Sequence, residues 1–370
     1  MSRRAILIGI VLLAGPWPSL AQAQPIRVAL LEEAKSVTIS GRGPLVVSDG
    51  GGRRLFTLKQ SKLTIAHARS GMVVNGKAMA QQSLRVAAEQ LSVNKTRVHG
   101  KLVVHRQPAG LLIVNELELE SYVRGVVPAE MPADWPTEAL KAQAIAARTY
   151  ALYQRQRRKN YPFDVQASVL HQAYGGVNGE DGRASRAADA TKGEILVHEH
   201  EPILALYHAN SAGATEAYRD VWGEELSYLQ SVACPVNTSA PSADWQRMIS
   251  AELFEQELRR AGYAVGTVAT ILPWRRSPSG RVRAVRVIHS GGDLALNGEA
   301  LRRIMGYKFL PSTMFTVAWT GQTLQWTGRG AGHGVGLCQW GAKIQAEAGW
   351  SYRAILSHYY PGALLRRLGQ

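Results

Sequence analysis

Cysteine is scarce in this 370-residue chain: there are two, Cys234 and Cys338, about a hundred residues apart. A chain this long has ample material for a core, so stability does not depend on disulfide staples. An oxidising compartment would permit one bridge between the pair, and two separate buried thiols fit the sequence equally well. Long apolar runs are also missing after the first residues. No later stretch approaches the roughly 20 apolar residues that cross a bilayer as a helix. Acidic residues are the third shortage, 28 against 43 Lys and Arg, for a formal net charge of +15.

The one apolar run, Ala5 to Gly15, follows Arg3-Arg4 and precedes Ala21-Gln22-Ala23, a small-x-small cleavage pattern. Residues 1–23 therefore read as a signal peptide, and the mature protein is expected to be exported, periplasmic or associated with the cell envelope, with no transmembrane segment. Removing Arg3 and Arg4 takes the charge from +15 to +13. Such charge suits a polyanion. Nucleic acid is the general candidate, but export argues against it and favours anionic wall polymer or a membrane surface. Solubility alone is the competing explanation.

The elements predict an α+β fold. Residues 24–110 carry short Val, Ile, Leu and Thr runs punctuated by Gly41-Arg42-Gly43, Asp49-Gly50-Gly51-Gly52 and Asn75-Gly76, a β-rich module. Lys101 to His105 and Gly110 to Asn115 look like its last strands. Residues 111–370 read as one mixed α/β domain, with a long helix near 136–156 opened by Pro136 and Glu138. Its apolar stripe would be Leu140, Ala144, Ala147 and Ala151, with Arg155 in solvent and Arg148 where a buried charge needs an anionic partner. Residues 236–285 are less legible apart from a helix-like stretch near Ala251 to Ala261, and two helices close the chain.

Three constellations could carry chemistry. In Val127-Pro128-Ala129-Glu130-Met131-Pro132 an acid stands between two prolines, which predicts a stiff loop; apolar neighbours would raise its pKa, as a general acid requires. Helix capping, or a pair with Arg148, would explain Glu130 without catalysis. Tyr207 to Glu216 gathers His208, Ser211 and Glu216 without the Gly-x-Ser-x-Gly of a serine hydrolase, so polar substrate contacts or turn chemistry are expected. From Gly328 to Gly336 every second residue is glycine, with His333 inside and Gln339 beyond. The spacing is wrong for dinucleotide binding, and it strips one face of an extended segment so that a ligand or another backbone can come close.

Together Leu117 to Pro132, Glu138 to Tyr150, Gln172-Ala173-Tyr174-Gly175-Gly176, His208 to Glu216, Val221-Trp222-Gly223, Gly332 to Gly336 and Tyr359-Tyr360-Pro361-Gly362 resemble the SpoIID/LytB (amidase enhancer) family over roughly residues 95 to 365. The resemblance implies that 111–370 is a catalytic domain: a lytic transglycosylase cutting peptidoglycan glycan strands already stripped of stem peptides, with Glu130 as the catalytic acid. It implies Arg148, His208, Ser211, Glu216, His333 and Gln339 as cleft residues, and a cell-wall amidase as a possible partner. Some relatives carry a Cys/His metal cluster before the Gln-x-Tyr motif; Phe163 to His171 lacks cysteine here, so neither zinc nor another cofactor is expected. The competing reading is a non-catalytic glycan-binding enhancer of an N-acetylmuramoyl-L-alanine amidase.

Overall fold

The computed structural model describes residues 25–168, 171–236, 240 and 243–369, so the expected signal peptide lies outside the described residues. Within them the chain is α+β, with a β-rich N-terminal region. Apolar alternation builds that region. Ser36–Arg42 buries Val37 and Ile39, Lys62–Ala68 buries Leu63 and Ile65, and Ser83–Ala87 buries Leu84 and Val86. A period of two puts each set on one face, and a seven-stranded and a six-stranded sheet share the resulting core.

Gly110–Leu117 is buried on both faces: Leu111 and Ile113 enter that core, while Leu112 and Val114 pack with Ala29, Val103 and Phe163. It pairs with both Lys101–Gln107 and Ile26–Ala34. The boundary expected at residue 110 therefore falls inside a hairpin, where Gly110 opens the second strand after the turn at Pro108-Ala109.

Helix α1 (Leu119–Glu130) follows at once, then α2 (Thr137–Arg157), the long helix foreseen in the sequence. Six more come after: α3 (Gly182–Ala190), α4 (Tyr218–Trp222), α5 (Ala251–Arg260), α6 (Gly298–Met305), α7 (Gln339–Glu347) and α8 (Tyr352–Tyr359). Two expectations are corrected here. Glu130 ends a helix rather than sitting in a loop, because burial of Leu119, Tyr122, Val123, Val126 and Val127 against the core outweighs the backbone bond lost at Pro128. Apart from Lys141, helix α2 is buried at every position from Ala139 to Leu152 rather than along one stripe. Its alanines let α1, α3, α7, α8 and the strand Glu194–His198 all approach it. Arg155 is half-buried rather than solvated, and burial lowers its pKa.

The illegible stretch is part of a unit with a core of its own. Two three-stranded sheets between Asp244 and Arg329, with α5 and α6, enclose Trp245, Phe254, Leu258, Val285 and Trp326. The single unit expected over 111–370 thus holds two hydrophobic cores. Among the described residues no helix is long and apolar enough to cross a membrane.

Candidate active site

A cavity of about 820 Å³ opens where the end of α1, the chain around His208, α4, the start of α7 and helix α6 meet. Glu130 lines it, half-buried at the last position of α1. Burial pushes its carboxyl group above the usual carboxylate range, against hydrogen bonds from the Ala173 amide, the Tyr207 hydroxyl and the Gln339 side chain that favour the ionised form. The Ala173 N–H donates to Oε1 at 2.5 Å.

The Tyr207 hydroxyl is oriented from behind. Tyr122 donates to Gln172 Oε1 at 2.8 Å, and Gln172 Nε2 donates to the Tyr207 oxygen at 3.0 Å. Tyr207 therefore has its own proton free for Glu130. Gln339, 6% exposed, donates from Nε2 to the Glu130 carbonyl at 3.2 Å and so fixes the end of α1. A carboxyl group held this way can give up a proton and take one back.

Two histidines stand beside it. His208 Nδ1 lies 3.2 Å from the Val335 carbonyl, which can only accept, so the proton is on Nδ1. Its Nε2 is buried and finds no hydrogen-bond partner among the described residues. His333 Nδ1 accepts from the Val335 amide at 3.1 Å, and burial, reinforced by His208, Arg302 and Arg281, keeps this ring well below the usual imidazole pKa. Trp222, 42% exposed, lies 5.4 Å from His333 between ring centroids and offers the cavity an open aromatic face.

The glycines that carry His333 into place are tightly packed: a Cβ at Gly332 would lie 2.5 Å from His208 Cβ, and one at Gly334 2.5 Å from Arg281 Nε. Gly332 and Gly336 have φ of +99° and +74°, and a Cβ at Gly336 would lie 2.1 Å from the Leu206 carbonyl oxygen. The close neighbour is the chain at 206–210, whose Tyr207-His208 runs parallel to Leu337-Cys338.

Not every residue named from the sequence reaches the cavity. Glu130, His208, His333 and Gln339 line it; Arg148, Ser211 and Glu216 do not. Arg148, fully buried, grips Glu120 at 2.8 Å and the carbonyls of Ala188 and Glu194, tying α1, α3 and a strand to α2. Its partner is Glu120 rather than Glu130. Ser211 is buried and passes its carbonyl to Arg281 Nη2 at 2.8 Å. Glu216, 1% exposed, accepts from the hydroxyls of Ser277 at 2.5 Å and Ser279 at 2.7 Å, so it holds the 244–329 unit against the central one. Cys234 and Cys338 are both buried free thiols. No group of three or more His, Cys, Asp or Glu side chains among the described residues is arranged to hold a metal.

Sequence reasoning did not single out Tyr207, Gln172 or Trp222 as parts of the site, although each lies in a segment quoted above. It also missed Asn297, Glu299, Arg302 and Arg303 of the α6 wall. Nothing local marks those four, since only the fold brings them to Glu130.

Residues 107–198 match the family model SpoIID, described as stage II sporulation protein, and residues 237–336 match a domain of unknown function. The chain is 31% identical over 343 residues to an uncharacterized protein of Brachyspira hyodysenteriae, covering 91% of each. It is 34% identical over 264 residues to the stage II sporulation protein D of Bacillus amyloliquefaciens, covering 67% of this chain and 74% of that one. The amidase enhancer of Bacillus subtilis is 29% identical over 295 residues, covering 66% of this chain and 40% of that one. The first match holds Glu130, Gln172 and Ala173; the second holds α6 and His333.

Proposed function

This chain belongs to the SpoIID, or stage II sporulation protein, family, and we propose that it is an exported lytic transglycosylase that cuts peptide-free peptidoglycan strands with Glu130 as its only catalytic carboxyl group. The observation that carries the reading is the setting of Glu130: a carboxyl group raised by burial, at a cavity, held by Ala173, Tyr207 and Gln339. A general acid needs to be protonated near neutrality and steered by its neighbours.

In the reaction Glu130 gives its proton to the oxygen joining C1 of N-acetylmuramic acid to the following N-acetylglucosamine, and the C1–O bond breaks. The C6 hydroxyl of the same muramic acid then closes on C1 and returns its proton to Glu130. A 1,6-anhydro end forms, the acid is regenerated and no water is consumed. Because the nucleophile comes from the sugar, the second carboxylate of ordinary glycosidases is not required. The other acid on the cavity, Glu299, is turned to Arg302 at 3.3 Å. His208 Nε2 suits a sugar hydroxyl and Trp222 a pyranose face.

The name of the amidase enhancer favours a second reading, in which the cavity only binds glycan and stimulates an amidase. Glu130→Gln separates the two. Incubation of both proteins with amidase-stripped strands should give anhydro-ended fragments from the wild type alone. If neither yields fragments, and both stimulate the amidase equally, the enhancer reading replaces ours.

A further inference from the structure

Helix α6 brings to the cavity side chains from a unit that has its own core and is clamped in place by Glu216, Ser277 and Ser279. Two of those side chains are guanidiniums. Arg302 is 6% exposed and already committed: it meets Glu299 at 3.3 Å, donates to the Leu310 carbonyl at 2.9 Å and stacks 4.6 Å over the Tyr307 ring. Arg303, the next residue, is exposed and lines the same cavity. Among the described residues no carboxylate lies within ion-pairing distance of it. A strand in the cavity therefore meets one guanidinium with unspent donors, and a guanidinium, having only donors, calls for an anionic acceptor.

We propose that Arg303 binds the free lactyl carboxylate of N-acetylmuramic acid and thereby selects strands whose stem peptides have been removed. On a peptide-bearing strand the same lactyl carbonyl is an amide, which has no charge to offer and carries a peptide that the cavity would have to accommodate. Cutting the peptide away exposes one carboxylate at every muramic acid. This inference rests on the glycan-cleaving reading and adds to it a specificity-determining residue, supplied by the 244–329 unit rather than by the helix that carries Glu130.

The test measures binding separately from cleavage. Glu130→Gln protein, which on the glycan-cleaving reading should hold strands without cutting them, is titrated with peptide-free glycan oligosaccharides and with the same oligosaccharides after carbodiimide conversion of their lactyl carboxylates to methylamides. It should prefer the carboxylate form by about tenfold, the size of one charge-assisted hydrogen bond. Adding Arg303→Gln should bring both ligands to the weaker affinity, and Arg303→Lys should restore part of the preference. Thermal melts show whether each variant is folded. Equal affinity for the two ligands, or a preference that survives Arg303→Gln, overturns the assignment. Anhydro ends scored with the wild type on the same samples keep the two ideas apart: cleavage without a carboxylate preference removes the role of Arg303 alone, whereas a preference without cleavage removes the catalytic reading alone.

Discussion

In the proposed reaction a single carboxyl group acts as acid and then as base, so its proton affinity decides the rate. Replacing Glu130 with Gln should lower kcat by about a hundredfold or more while strand affinity changes little, as steady-state kinetics and direct titration would show. On that proposal the acid form is the active one, so kcat/KM should fall as pH rises through the raised pKa of Glu130, a basic limb above the ordinary carboxylate range. The Tyr207 hydroxyl favours the ionised form. Tyr207→Phe should therefore move that limb to higher pH by about one unit, the worth of one hydrogen bond to a charged group. A limb that stays or moves down in the pH profile would show that Tyr207 does not hold the acid. The same shift has a stability consequence. A pKa raised on folding means that ionised Glu130 costs stability above the folded-state pKa and costs nothing below the unfolded-state value. Glu130→Gln should thus melt higher than the wild type at neutral pH, with the gap closing in acid.

Helices position these residues, and they differ in how plainly the sequence announced them. The start of α2 was legible because Pro136 and Glu138 are start signals that act locally. The end of α1 was not, because Pro128 and two valines argue locally against a helix that only burial sustains. Arg148 was legible as a buried charge in need of a partner, while the identity of that partner, Glu120, depended on how α1 crosses α2. Arg148→Met should cost about 3–5 kcal/mol in urea unfolding, since it strands Glu120 among the polar groups of Gly193 and its neighbours. The double variant Arg148→Met with Glu120→Gln should recover part of that loss. If the single variant unfolds like the wild type, Arg148 is no clamp.

At the scale of the whole molecule, the cavity exists because two separately cored units close on each other. Glu130 and Gln339 belong to one, and α6 belongs to the other. That partnership could not be read from the sequence: 236–285 carries no motif, and the unit it opens reaches the site through α6, further along the chain, by contacts such as Ser277 and Ser279 on Glu216, 61 and 63 residues distant. Glu216→Ala should loosen the docking without touching Glu130. Limited proteolysis should then cut between the units sooner than in the wild type, and strand affinity should fall while the thermal melt of the central unit persists. A proteolysis pattern identical to the wild type would mean that Glu216 does not fasten the units.

The most direct test of catalysis by one carboxyl group is the chemistry of the new strand ends formed in heavy-oxygen water. Intramolecular closure predicts anhydro ends free of heavy oxygen from the wild type and no new ends from Glu130→Gln. Heavy oxygen at the reducing ends, or the same products from the variant, would contradict it.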